Sequence, residues 1–94
     1  MIRSFKNKAT KAIWLGHYVR KWHPNIQRIA LRRLLVLHRA TSLSDIAVSP
    51  GFALEKMKGD REGQYSIRIN DQYRICFEWH QDGFVDNVEI TDYH

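Results

Sequence analysis

The segment YSIRINDQYRICFEW, residues 65–79, constrains the fold more than any other stretch. Tyr65, Ile67 and Ile69 interleave with Ser66, Arg68 and Asn70; further on, Tyr73, Ile75, Phe77 and Trp79 interleave with Arg74, Cys76, Glu78 and His80. A period of two marks a strand with one buried face. Cross-strand partners share a face, so the turn length decides which residues meet. A two-residue loop at 70–71 would set Ile67 opposite Arg74, and one at 71–72 would set Arg68 opposite Ile75. Both mix core with charge. A three-residue loop at 70–72 pairs Ile69 with Tyr73, Ile67 with Ile75 and Tyr65 with Phe77. Only this register keeps one face apolar, and the buried face selects the register.

The same register sets Arg68 opposite Arg74. Facing like charges destabilise a sheet, so something must offset them. Glu78, two positions beyond Arg74 on the same face, is one candidate, and water is another. An anion is the third. Guanidinium forks match phosphate oxygens, which makes the pair a candidate phosphate clamp.

The rest of the chain reads as helices before strands. Residues 2–5 suggest a short strand. Residues 8–15 suggest a helix with Ala9, Ala12, Ile13 and Trp14 inward, stopped by Gly16. Tyr18, Val19 and Trp22 are expected to anchor the connector to the core. Pro24 opens the clearest helix, with Ile26, Ile29, Ala30, Leu34 and Leu37 at helical spacing and Arg28, Arg32, Arg33 and Arg39 on the other side. SLSD at 42–45 resembles a capping box for one more short turn. Ser49-Pro50-Gly51 separates this half from the strands, FALEKM leads into the charged loop KGDREG at 58–63, and residues 84–94 form the last strand. There Val88 and Ile90 alternate with Glu89 and Thr91, which puts Asp92 on the Val88/Ile90 side. The length of 94 residues implies one domain, 1–94.

Charge is divided unevenly. Residues 1–44 carry ten Lys/Arg and no Asp or Glu, whereas residues 45–94 carry five Lys/Arg and ten Asp/Glu. So one-sided a block calls for an anionic partner, with RNA or DNA ahead of an acidic protein. The single cysteine, Cys76, excludes an internal disulfide and fits a reducing, cytoplasmic setting. No apolar run has the length of a signal peptide or a membrane span. The five histidines have no metal-ligand spacing, so neither a metal nor another cofactor is expected. Metal-free RNA cleavage needs groups that exchange protons and cations that stabilise a crowded phosphorane. Glu55, Lys58, Arg61, Arg68, Arg74, Tyr93 and His94 supply both kinds near strand ends.

MKGDREG, YSIRINDQYRICFEW and the terminal VEITDYH together resemble the HigB-type toxins of the RelE superfamily; MIRSFK and RATSLSDI are similar to that family in pattern. The resemblance spans essentially the whole chain. It implies a compact α+β fold, with an N-terminal strand and two main helices packed on a mostly antiparallel C-terminal sheet. It implies the toxin of a type II toxin–antitoxin pair, a ribosome-dependent and metal-independent mRNA endonuclease acting in the A site. The implied partners are a helix-turn-helix antitoxin, the ribosome and mRNA, with operator DNA reached only through the antitoxin complex. No membrane is involved. By motif, Lys58, Arg74, Asp92, Tyr93 and His94 match family positions, and Arg61 and Arg68 are expected to bind phosphate. Glu55 stands where some relatives carry histidine, which leaves the general base open. In this reading Arg28, Arg32, Arg33 and Arg39 dock the domain on ribosomal RNA. Two alternatives remain: a gyrase-poison type that binds without cutting, and a weakly active relative that mainly binds its antitoxin.

Overall fold

The computed structural model describes residues 1–92. Three helices come first: α1 (Lys8–Trp14), α2 (Pro24–Arg39) and α3 (Leu43–Ala47). Four strands follow: β1 (Glu55–Lys56), β2 (Tyr65–Arg68), β3 (Tyr73–Trp79) and β4 (Val85–Asp92). They form one antiparallel sheet in the order β1-β2-β3-β4.

Local chemistry accounts for the helix ends. Asn7 caps α1 by accepting from the Thr10 N–H at 2.9 Å. At the other end Gly16, at φ 85°, turns the chain left-handed, so that its N–H reaches Ile13 O at 3.0 Å and that of His17 reaches Ala12 O at 2.9 Å. Pro24 occupies the first turn of α2, where a missing N–H costs nothing. Ser42 caps α3 through Asp45 N, and the Asp45 carboxylate reaches back to Thr41. This modifies the expected capping box, because the return bond lands one residue earlier.

The core lies between the helices and one sheet face. Ala30, Leu34 and Leu37 of α2 are buried against Ile67, Ile75, Phe77, Val88 and Ile90. The hairpin register is the one the alternation predicts: Tyr65 pairs with Phe77, Ile67 with Ile75 and Arg68 with Arg74. Ile69 N donates to Tyr73 O at 2.9 Å, which closes the three-residue loop.

Some expectations are corrected. Tyr18 is 64 % exposed and anchors nothing, whereas Trp22 is buried. The connector is held by Gln27 instead. Its Oε1 accepts from Val19 N at 2.9 Å, and its Nε2 donates to Val19 O and Trp22 O at 2.7 and 2.6 Å. The N-terminal strand is reduced to two parallel bridges, Ile2 to Val85 and Phe5 to Val88. The reason is a bulge in β4. Cys76 pairs with Glu89 but Glu78 with Asp86, so β4 carries one extra residue, with Asn87 at φ 53°. Between the bridges, Ser4 bonds by side chain to Asp86 and Asn87 rather than through the backbone ladder alone. Thr10 of α1 accepts from Ile90 N at 3.1 Å, so helix and N-terminal segment together cover the β4 edge.

Candidate active site

The register divides the sheet into a helix side and an open side. Ile67, Ile75 and Ile90 form a row on the helix side. Side chains alternate, so the adjacent rows face the other way. One is Glu55, Ser66, Cys76 and Glu89; the other is Arg68, Arg74 and Thr91. Four of the residues singled out from the sequence or their direct neighbours therefore share a face: Glu55, Arg68, Arg74 and, through Glu89, Arg61.

Arg74 is the fixed point of this face, only 8 % exposed. Its Nε donates to Ser66 Oγ at 2.8 Å, and its Nη2 donates to Ala53 O at 2.6 Å and Ser66 O at 3.3 Å. These three oxygens hold the guanidinium in one orientation. Ala53 adopts φ 47°, a left-handed conformation that costs an alanine about 1–2 kcal/mol. The carbonyl that this residue presents is one that Arg74 uses.

The opposed arginines are relieved differently from the expectation. Arg68 turns to Asp71 in the hairpin loop, and Glu78 bonds to Asn87 at 2.9 Å rather than to Arg74. Asp71 is 98 % exposed, so its attraction for Arg68 is weak and readily exchanged for another anion. Arg61 reaches from the 3₁₀ turn Gly59–Arg61 to Glu89 on β4 at 2.6 Å, crossing the level of β2 and β3. The hydrogen bond to Glu89 holds the guanidinium more firmly protonated than usual, against the opposing effect of burial. Lys58 caps that turn by its backbone, and Glu55, Lys56, Met57 and Lys58 line one shallow depression.

Asp92 pairs with Tyr73, so it lies on the helix side of the sheet as alternation predicts, and it accepts from Gln72 Nε2 at 3.1 Å. It does not share the row of Arg74. Tyr93 and His94 lie outside the described residues. On α2, Arg28, Arg32 and Arg39 are exposed, whereas Arg33 is half-buried with its guanidinium carbon 4.3 Å from the centre of the Phe52 ring. His38 accepts from Ile2 N through Nδ1 at 3.1 Å, a role in seating the N-terminal segment. Among the described residues no cluster of three or more His, Cys, Asp or Glu is arranged to hold a metal ion, and no helix is long and apolar enough to cross a membrane.

Sequence reasoning overlooked Ser66, Glu89 and Gln27. Ser66 had a signal: in the predicted register it lies diagonally across from Arg74 on the same face, within reach of a long side chain. Glu89 and Gln27 had none, because their partners come from a loop and a connector whose paths no periodicity fixes.

A sequence model of the RelE-like toxins of the type II toxin–antitoxin system HigB matches residues 3–94. The chain belongs to this family. It is 34 % identical over 97 residues to "Endoribonuclease HigB" of Proteus vulgaris, covering all of both chains. It is 36 % identical over 69 residues to "Toxin HigB-1" of Vibrio cholerae serotype O1, covering 73 % of this chain and 67 % of that one. Two solved structures share the fold. One is the YoeB-YefM complex from Staphylococcus aureus, with TM-score 0.63, 18 % identity and coverage of 100 % of this chain and 98 % of that one. The other is a heterotetrameric YoeB-YefM toxin–antitoxin complex from the same organism, with TM-score 0.59, 17 % identity and the same coverage. A HigB-like toxin thus presents the open sheet face on which Arg74 and Arg68 are paired.

Proposed function

We propose that residues 1–94 act as one cytoplasmic toxin domain that cleaves mRNA in the ribosomal A site without a metal. The observation that carries this reading is that Arg74, buried on the open face and oriented by Ser66 and Ala53, stands directly opposite Arg68. Two oriented cations on one face suit the charge that develops on a phosphorane in a transition state. The 2′-oxygen of the substrate attacks phosphorus after losing its proton to a base. The bond from phosphorus to the 5′-oxygen breaks, and that oxygen takes a proton from an acid. The products are a cyclic phosphate and a 5′-hydroxyl. Arg74 and Arg68 stabilise the phosphorane. Lys58, at the rim, and Arg61, tied to Glu89, add positive potential. Glu55 shares the row of Ser66 and is a candidate for the base, with Tyr93 and His94 as the other proton-transfer groups. Asp92 holds the end of β4 through Gln72.

The exposed Arg28, Arg32 and Arg39 dock on ribosomal RNA through phosphate contacts that need no base recognition. Neutralisation falls to a helix-turn-helix antitoxin, and the pair represses its own operon; that the structural neighbours are YoeB-YefM toxin–antitoxin complexes supports an antitoxin partner, without bearing on its type. The test is cleavage of mRNA on programmed ribosomes by the wild type and by a chain lacking His94. The truncated chain is expected to melt like the wild type and to cut at least tenfold more slowly, within the range of general acid–base effects. Undiminished cutting would remove His94 from the mechanism. Absence of cutting by the wild type, with trapping of gyrase on DNA, would replace the nuclease with the binding toxin.

A further inference from the structure

Arg33 differs from the other arginines of α2. Its guanidinium lies over Phe52, and its Nε is buried with no hydrogen-bond partner among the described residues. With Arg32, Ile29, Val36 and Phe52 it lines a depression of about 260 Å³. The Phe52 carbonyl accepts from the backbone N–H of Arg68 at 2.7 Å, so the depression adjoins the strand that carries the clamp. Burial makes the Arg33 proton easier to lose than usual, and the nearby positive charges of Arg32 and Arg68 act in the same direction. Among the described residues Arg68 has Asp71 alone as a carboxylate partner, and that residue is almost fully exposed. The guanidinium groups of Arg33, Arg32 and Arg68 are therefore gathered where fixed negative charge is scarce among the described residues, which is unfavourable unless an anion joins them.

We infer that Arg33 and Phe52 form a second phosphate subsite, which holds the substrate RNA strand beyond the linkage that Arg74 and Arg68 clamp. The cationic path then runs from Arg74 through Arg68 to Arg33, around the sheet edge and onto α2. An incoming phosphate supplies the acceptor that Arg33 lacks, and Ile29, Val36 and Phe52 offer the sugar and base an apolar floor. Continuity with the clamp favours RNA over an acidic protein segment as the occupant. Arg33 then serves substrate binding rather than ribosome docking. The inference rests on the nuclease reading.

The experiment uses mRNAs that carry one uncharged methylphosphonate linkage, stepped along the positions flanking the cut, on programmed ribosomes. For the wild type, one flanking position beyond the cut is expected to lower the cleavage rate at limiting enzyme about tenfold, the size of a charged hydrogen bond. Arg33→Met keeps an apolar side chain over Phe52 and removes the charge. It is expected to lower the rate by a similar factor on unmodified mRNA and to show no further loss at that one modified position. Arg33→Lys is expected to recover part of both effects. If Arg33→Met remains as sensitive as the wild type at every modified linkage, the subsite is wrong. If it cuts like the wild type but loses affinity for the antitoxin, the depression belongs to an acidic protein segment and the RNA subsite is overturned. If the wild type cuts no mRNA at all, the nuclease reading itself fails and this inference falls with it; thermal melts of both variants show whether the fold survives the substitution.

Discussion

Replacing Ser66 with alanine tests how Arg74 is held. Ser66 is fully buried and Arg74 nearly so, and the bond between them spans 2.8 Å. A hydrogen bond to a charged group contributes about 1.5–3 kcal/mol, because the buried donor loses its partner while water remains excluded. Arg74 keeps Ala53 O and Ser66 O through Nη2, which favours the lower half of that range. A loss of about 1.5–2 kcal/mol in a chain this size lowers Tm by roughly 6–16 °C. The rate should suffer as well, since a guanidinium without its Nε bond to Ser66 presents its fork less firmly in one direction. A double-mutant cycle separates the bond from general damage. It comprises Ser66→Ala, Arg74→Met and their combination, each measured by urea unfolding. If the bond exists, the double variant is less destabilised than the sum of the singles by at least about 1 kcal/mol. Additivity within about 0.5 kcal/mol would refute the reasoning, because Ser66 would then position nothing.

Further outcomes follow from other contacts. Arg3 holds the Asp86 carboxyl down to about pKa 2, so its contribution to stability is complete above the unfolded carboxylate value near 4 and is lost as pH falls toward 2. Asp86→Asn should therefore melt earlier than the wild type at pH 6, and the two should converge by about pH 2. Phe77, fully buried opposite Tyr65, should cost about 3–5 kcal/mol when replaced by alanine, read by urea unfolding. Reversing Arg32 and Arg39 to Glu should weaken ribosome binding and make it less salt-dependent, read by pelleting at two salt concentrations; unchanged affinity would detach α2 from the ribosome.

Much of the fold was legible because side-chain periodicity and backbone geometry agree. The three-residue loop at 70–72 followed from keeping Ile67, Ile75 and their neighbours on one face, and the structure has that register. The β4 bulge was readable too, although only after the fact: Val85 and Val88 lie three apart and both are buried, which strict alternation forbids without an extra residue. The opposed arginines were legible, but their relief was not. The directions taken by Arg68 and Arg74 depend on Asp71 in a turn, and on a carbonyl of Ala53 outside any strand. Likewise, nothing in the helical pattern of α2 separates Arg33 from Arg32; the difference is the Phe52 ring that the chain brings back from beyond Gly51. Long-range polar contacts of this sort have no period, so a sequence announces the residue type but not its partner.

The bridges from Ile2 to Val85 and from Phe5 to Val88 join residues more than eighty positions apart. A chain leaves the ribosome at about 5–20 residues per second, N-terminus first, and distant pairings wait for their partners. Residues 2–5 must therefore stay without their sheet until β4 has emerged. Arg74 likewise cannot be framed by β4 before that moment. Until β4 has emerged the polypeptide lacks the strand that completes the sheet beside Arg74, so the face that carries the opposed arginines is finished last.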